Sequence, residues 1–360
     1  MQPLRCNNPD CTLQEGGRCA RIAEFPDPLA DCIDLVRDLT VASVDVPTPA
    51  APTAPWSGRH LASQDAEHLL WHSSARLVAV LGPYNAGKTS LLTSFFLQLA
   101  NGQGNAFPYR FASSRTLHGF RELMDRANQW SGSTEADIVL HTTVGAEELQ
   151  PRSFLHVGLR PKSPQDNRHI DMLLSDLPGE WVKAWTGHVD EAARQRMAFI
   201  QRCDAFIIVA DAYALTSPGG ARTDSETSLL VRRVIDFVKE RKSRHPLALV
   251  LSKFDRVIQS VEPPPPEQRT ERNAWGALGK RLHRTWAALD DAQQAGLPVS
   301  VFPVSSFPYR MAEGQPIGIM EPFIFIMHHA DRRERWNSLQ IPIAEGIRGF
   351  AMMCHWRDDS

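Results

Sequence analysis

Arg76-Leu-Val-Ala-Val-Leu-Gly82-Pro-Tyr-Asn-Ala-Gly87-Lys88-Thr89-Ser90-Leu-Leu is the stretch on which the reading of this chain turns. Residues 77–81 form a short apolar run of the kind that makes a buried parallel strand, and the run breaks at Gly82. Apolar periodicity over 89–99 then predicts a helix. Between the two lies G-x-x-x-x-G-K-T, the pattern of a phosphate-binding loop. Glycine lets such a loop curl, so that the amides along Gly82, Asn85, Ala86, Gly87, Lys88, Thr89 and Ser90 can face a di- or triphosphate. Lys88 supplies a point charge to the outer phosphates, the Thr89 hydroxyl is a ligand for Mg²⁺, and the helix N-terminus adds its unpaired amides and positive dipole end. A glycine turn that binds nothing is the rival reading. The strand before the loop and the helix after it argue against that rival.

Length and composition set the frame. A chain of 360 residues holds one large α/β domain with additions, or two smaller ones. Apolar residues at 42% and charged residues at 22% are ordinary for a globular protein. A formal charge of −2 gives no basic excess with which to bind nucleic acid or an anionic membrane. No run approaches the roughly 18 apolar residues of a spanning helix, and the start lacks the apolar stretch of a signal peptide. The expectation is therefore a cytoplasmic protein, in which the six cysteines serve as thiols or metal ligands.

Composition divides the chain in three. Residues 1–45 carry Cys6, Cys11, Cys19 and Cys32 in a segment with almost no apolar core. Four thiolates around Zn²⁺ would fold it; the alternative is a thiol-bearing tail. Residues 46–58 are a Pro/Ala linker. Residues 59–360 read as the phosphate-loop domain, with an aromatic and turn-rich insertion over 105–152 and helical material over 317–360. Within that domain 66–72 and 120–130 read as helices, and 154–160 with 169–176 as an antiparallel hairpin at a sheet edge. From there strands at 205–211, 246–252 and 299–304 alternate with helices at 190–202, 225–241 and 271–292. That rhythm predicts a three-layer α/β/α fold around a mostly parallel sheet with one antiparallel edge strand.

Three further motifs fall at carboxyl ends of predicted strands, where ligands sit in such sheets. Asp176-Leu-Pro-Gly179-Glu180 has the form D-x-x-G. Asp176 there can hold the Mg²⁺ shell through water, and the Gly179 amide can approach a terminal phosphate; the plainer reading is a polar turn. Ser252-Lys253-Phe254-Asp255 closes the strand over 246–252. The Asp255 carboxylate can accept two hydrogen bonds from guanine that adenine does not offer, with the Lys253 stem along the base; the plainer reading is a strand-end salt bridge. Val304-Ser305-Ser306 ends the last strand, and the amides of Ser305 and Ser306 can meet the guanine carbonyl. His328, His329, Cys354 and His355 follow no metal-ligand spacing, and Trp181 and Trp185 read as packing residues one helical turn apart.

In this order and on these strands, the set resembles a translation-factor-class (TRAFAC) P-loop GTPase. More narrowly, the Cys-rich start, the linker, the segment Phe111-Ala-Ser-Ser-Arg-Thr-Leu and the stretch 317–322 resemble the bacterial double-GTPase family. The resemblance implies GTP and GDP as ligands, Mg²⁺ as cofactor, and hydrolysis of GTP to GDP and phosphate. It also implies partner proteins encoded alongside, in anti-phage or conflict systems. Two departures matter. Ser252 stands where Asn or Thr is usual, a weaker buttress for the loop. Glu180 stands where many relatives place the glutamine that orients the attacking water, so hydrolysis is expected to be slow or partner-dependent. Thr143 is the favoured switch threonine and Mg²⁺ ligand, with Thr116 as its rival; no arginine finger is assigned, since Arg115 is marked only by its place beside Thr116 and the plainer reading is a solvated surface arginine. A nucleotide-locked scaffold and an ATP-using enzyme are the two rival functions.

Overall fold

The structure is a computed structural model that describes residues 5–6, 12, 35–36, 58–72, 75–103, 107–128, 154–163, 165–166, 168–187, 191–240, 245–260, 278–307 and 316–331. The chain divides into two compact units, Met1–Thr53 and Ala54–Ser360. In the first unit, β1 (Arg5–Cys6) pairs antiparallel with β2 (Leu35–Val36). Cys11, Cys19 and Cys32 lie outside the described residues, as do the side chain of Cys6 and the linker up to residue 57.

The second unit is built on a seven-stranded sheet in the order β4-β5-β6-β3-β7-β8-β9. Its strands are β3 (Ala75–Leu81), β4 (Tyr109–Ser113), β5 (Phe154–Pro161), β6 (Ile170–Ser175), β7 (Ala205–Asp211), β8 (Leu247–Ser252) and β9 (Val299–Pro303). The five strands β6, β3, β7, β8 and β9 run parallel, while β5 is antiparallel to both β6 and β4. β3 sits between β6 and β7, so the chain leaves the central strand in both directions. Such a divergence opens a crevice at the strand's carboxyl end.

β3 alternates its side chains between the two layers, as a strand must. Leu77, Ala79 and Leu81 join the core on one face, with α1 (Ser63–His72), α4 (Gly179–Thr186), α7 (Gly220–Glu240) and α9 (His283–Gln294). Val78 and Val80 join the core on the other, with α2 (Lys88–Ala100), α3 (Leu117–Asn128) and α10 (Glu321–Asp331). On this second face Phe95 stacks on Phe323 at 3.7 Å between ring centres and meets Phe107 edge-on at 5.7 Å.

Several expectations change. The hairpin of β5 and β6 is present, but the sheet's edge is β4, which the sequence reading treats as turn-rich loop. Only Tyr109 and Phe111 turn to the core before the register shifts between Phe111 and Ser113, so the alternation is too short to be read as a strand. The helix expected over 190–202 is two pieces, α5 (Glu191–Arg196) and a 3₁₀ turn over Ala198–Arg202. The helix expected from 225 begins five residues earlier, at Gly220. Two short helices follow strands directly, α6 (Ala212–Thr216) and α8 (Phe254–Ser260), each too short for apolar periodicity to announce it.

Truncation of Phe95 removes one ring from the stack that joins α2 to α10. Phe95→Ala is expected to lower stability by about 3–5 kcal/mol, read as a shift of the denaturant midpoint at unchanged slope.

Candidate nucleotide site

β3 ends at Leu81, and the loop from Gly82 to Gly87 carries the chain into α2. Two of its residues adopt left-handed backbone, Asn85 at φ 59° and Gly87 at φ 90°. Asparagine tolerates that region better than most residues, and glycine enters it without a steric cost. Gly87 caps α2 with no side chain of its own, which leaves the first amides of the helix facing the crevice. The loop therefore has the curled form that its glycines predict.

Inside the curl lies the Lys88 ammonium, which donates to the carbonyls of Gly82 at 3.0 Å and Pro83 at 2.9 Å. Burial strips it of water and pushes its pKa down to about 8, against the opposing pull of Asp176 and Glu180. A cation held at such a cost binds an anion strongly, because a phosphate restores the charge partner that water no longer supplies.

Thr89, the next residue, donates its hydroxyl to Asp176 Oδ1 at 2.9 Å. Asp176 follows β6 and is buried. One hydroxyl and one carboxylate make an all-oxygen donor set, which suits a hard cation such as Mg²⁺. Gly179, at the start of α4, lies hard against the loop: a Cβ there would come within 2.3 Å of the Tyr84 backbone nitrogen. Only glycine fits. Glu180 follows it and lines the same cleft as Tyr84 and Lys88.

The end of β8 is tied to the loop by two hydrogen bonds. Ser252 donates its hydroxyl to the Ala86 carbonyl at 2.6 Å, and the same oxygen lies 3.1 Å from the Ala210 carbonyl. The shorter side chain thus reaches the loop through its one hydroxyl. Lys253, itself in left-handed backbone at φ 54°, donates to the Asn85 carbonyl at 2.9 Å and pairs with Asp211 Oδ2 at 2.6 Å. Asp211 ends β7 and also caps α6 by accepting from the Ala214 amide. Its one mark in the sequence is that of an acid closing an otherwise apolar strand.

Asp255 opens α8, where Ser305 grips it twice. The Ser305 hydroxyl donates to Asp255 Oδ1 at 2.7 Å and accepts from the Asp255 amide at 2.8 Å. The Ser305 amide donates to the Ile317 carbonyl, so it does not face a base as expected. Ser305 acts here through its hydroxyl. The Ser306 carbonyl accepts from the Ser94 hydroxyl on α2.

The two threonine candidates fare differently. Thr143 lies outside the described residues. Thr116 is fully buried between β4 and α3, where its hydroxyl accepts from the His156 amide at 2.9 Å. The Arg115 amide donates to His156 Nδ1 at 3.0 Å, and His156 Nε2 meets Asp171 Oδ1 at 2.8 Å. This turn is welded to β5 in the present arrangement. Among the described residues no three His, Cys, Asp or Glu side chains converge as a metal cluster, and no helix is long and apolar enough to cross a membrane. Trp181 and Trp185 both belong to α4 and pack on the core of that face, with the guanidinium groups of Arg196 at 5.4 Å and Arg233 at 5.5 Å over their rings.

A mostly parallel sheet with a lysine-tipped phosphate loop at its central strand, joined to an aspartate-bearing strand end, defines a P-loop nucleotide-binding protein of the GTPase class. The sequence model of the Double-GTPase 2 family matches residues 76–317, and the chain belongs to that family. No curated protein matches the sequence. Two solved structures are similar in part. One is the signal recognition particle receptor SRb-GTP/SRX complex from Chaetomium thermophilum, at TM-score 0.37 and 16% identity over 71% of this chain and 99% of that one. The other is the S. cerevisiae Ski7 GTPase-like domain bound to GTP, at TM-score 0.39 and 14% identity over 75% of this chain and 53% of that one. Likenesses this distant bear no weight for the site.

The lowered Lys88 pKa has a sign. Between pH 8 and 10.5 the unfolded chain holds the lysine proton and the folded chain has lost it, so the Lys88 contribution to stability rises with pH across that window. Lys88→Met is expected to abolish that part of the slope in denaturant midpoints measured from pH 7 to 10, the remaining slope belonging to other groups. Polyphosphate binding above pH 8 is expected to take up a proton in the wild type but not in Lys88→Met, as calorimetry in two buffers of different ionisation heat would show.

Proposed function

We propose that this chain is a GTP-binding switch that hydrolyses GTP to GDP and phosphate. The observation that carries the reading is the double tie from Ser252 and Lys253 to the carbonyls of Ala86 and Asn85, which locks the base-reading strand end to the phosphate loop. Recognition of the purine and the grip on its phosphates are thereby one rigid body.

Lys88, released from the Gly82 and Pro83 carbonyls, turns to the outer phosphates, and the amides of residues 87–90 follow their oxygens, while the Ala86 amide donates to the Pro83 carbonyl. Thr89 and Asp176 are the residues that would hold Mg²⁺, the latter through water, with Thr143 as the proposed third contributor. Bound there, the cation supplies neutralisation of the charge on the β- and γ-phosphates. Glu180 accepts a hydrogen bond from the attacking water. The water oxygen bonds to the γ-phosphorus as the bond to the β-phosphate oxygen breaks, and its proton leaves to Glu180 or to the departing phosphate. Charge spreading over the transferred group is met by Lys88 and the loop amides. A carboxylate beside a trianionic phosphate is repelled, which supports slow turnover until a partner acts.

Asp255, oriented by Ser305, takes the two donor groups of guanine, and the Lys253 stem lies along the base. The output is ordering and release of the segments around Thr116–Thr143 and Gly179–Trp185, read by partner proteins encoded alongside in an anti-phage or conflict system. The four cysteines Cys6, Cys11, Cys19 and Cys32 are proposed to hold Zn²⁺ in a small module that docks such a partner.

Displacement of a fluorescent GDP analogue tests the site. GTP is expected to compete and equimolar ATP not to; displacement by ATP would point to an ATP-using enzyme instead. Asp255→Asn is expected to weaken GTP by at least tenfold and to gain xanthosine triphosphate, whose ring offers an acceptor where guanine offers a donor. Single-turnover release of phosphate from bound GTP separates a hydrolysing switch from a scaffold that holds its nucleotide.

A further inference from the structure

His60 lies upstream of the phosphate loop, outside every motif of the sequence reading. Its Nε2 is shielded from solvent and has no hydrogen-bond partner among the described residues. It lies 3.8 Å from Asp176 Oδ2, on the opposite side of that carboxylate from the oxygen that Thr89 engages. A separation of 3.8 Å is too long for a direct hydrogen bond, yet one oxygen at about 2.8 Å from each atom satisfies both.

The strap that carries His60 is held on either side. The Gly58 amide donates to the Arg115 carbonyl, and the Gly58 carbonyl accepts from the Gly119 amide. Leu61, fully buried, exchanges both of its backbone hydrogen bonds with Phe154, at 2.8 and 3.2 Å. Phe154 in turn stands opposite Ser175, the residue before Asp176. The imidazole is therefore placed by backbone pairing on both flanks rather than left to swing.

We infer that His60 is a positioning residue of the cation site, its Nε2 and Asp176 Oδ2 together holding one water of the cation's hydration shell. The chemistry is matched. A water whose oxygen lone pair is directed at a cation has two O–H groups left to donate. Asp176 Oδ2 accepts one, and a neutral imidazole with its proton on Nδ1 accepts the other at Nε2. The arrangement fixes both the water and the carboxylate face turned towards Thr89. It also gives the otherwise orphaned nitrogen the partner that a buried polar atom needs. This inference rests on the proposed reading of Thr89 and Asp176 as the Mg²⁺ site.

The test is the rate at which a fluorescent GDP analogue leaves the full-length protein, in Mg²⁺ and in excess chelator. In the wild type Mg²⁺ is expected to slow release. His60→Phe keeps the ring and loses the acceptor, and is expected to lose roughly tenfold of that slowing while matching the wild type in chelator. His60→Gln places an acceptor near the position of Nε2 and is expected to restore it; His60→Asn, with its acceptor nearer Nδ1, is expected not to. Should His60→Phe fail to fold, the Gln and Asn pair carries the comparison. Full slowing in His60→Phe or His60→Asn, or faster release that is equal in Mg²⁺ and in chelator, would overturn the inference alone. Absence of any Mg²⁺ effect in the wild type would overturn the cation reading and this inference with it.

Discussion

A desolvated ammonium is the constraint around which this domain is arranged. The Lys88 side chain is buried with a positive charge, and it donates hydrogen bonds to two carbonyls of its own loop. For two consecutive carbonyls to face one nitrogen, the backbone between Gly82 and Lys88 must curl, which forces Asn85 and Gly87 into left-handed conformations. The same curl turns amides outward into the crevice. One local geometry thus creates both an anion-hungry cation and the donors that would share its anion.

The loop keeps that shape because tertiary contacts over-determine it. β3, β7 and β8 are adjacent and parallel, so their carboxyl ends meet in one row, and Lys253 reaches from the end of β8 both back to the loop and across to Asp211 on β7. An ion pair that is mostly shielded from water resists loosening more than an exposed one would. From the other side Gly179 presses α4 onto the Tyr84 backbone. The cleft is gripped between the ends of β6 and β8, and any movement of α4 is felt first at the loop.

Much of this was legible in the residues, for identifiable reasons. The buried strands β3, β7 and β8 are continuous apolar runs, as strands covered on both faces must be, and the loop motif is local in sequence. Edge strand β4 was not legible, because a bulge cuts its alternation short after two inward residues. Nor were the short helices α6 and α8, whose existence depends on the strand ends they follow. Asp211 gave only a faint signal, and His60 gave none: a histidine before a helix is unremarkable until β5 and β6 bring it beside Asp176. Ser305 acts through its hydroxyl, since its amide is spent on Ile317.

The chain's residue order alone decided the phosphate loop, the parallel architecture and the identity of the motifs at three strand ends, because each depends on neighbours a few positions apart. Folding decided which distant groups meet. Lys253 and Asn85 are 168 residues apart in the chain, Ser252 and Ala86 166, Thr89 and Asp176 87. Hydrogen bonds across such separations need atoms placed to within a few tenths of an ångström. That accuracy comes from the packed sheet and its register, and no periodicity or spacing along the chain encodes it in readable form.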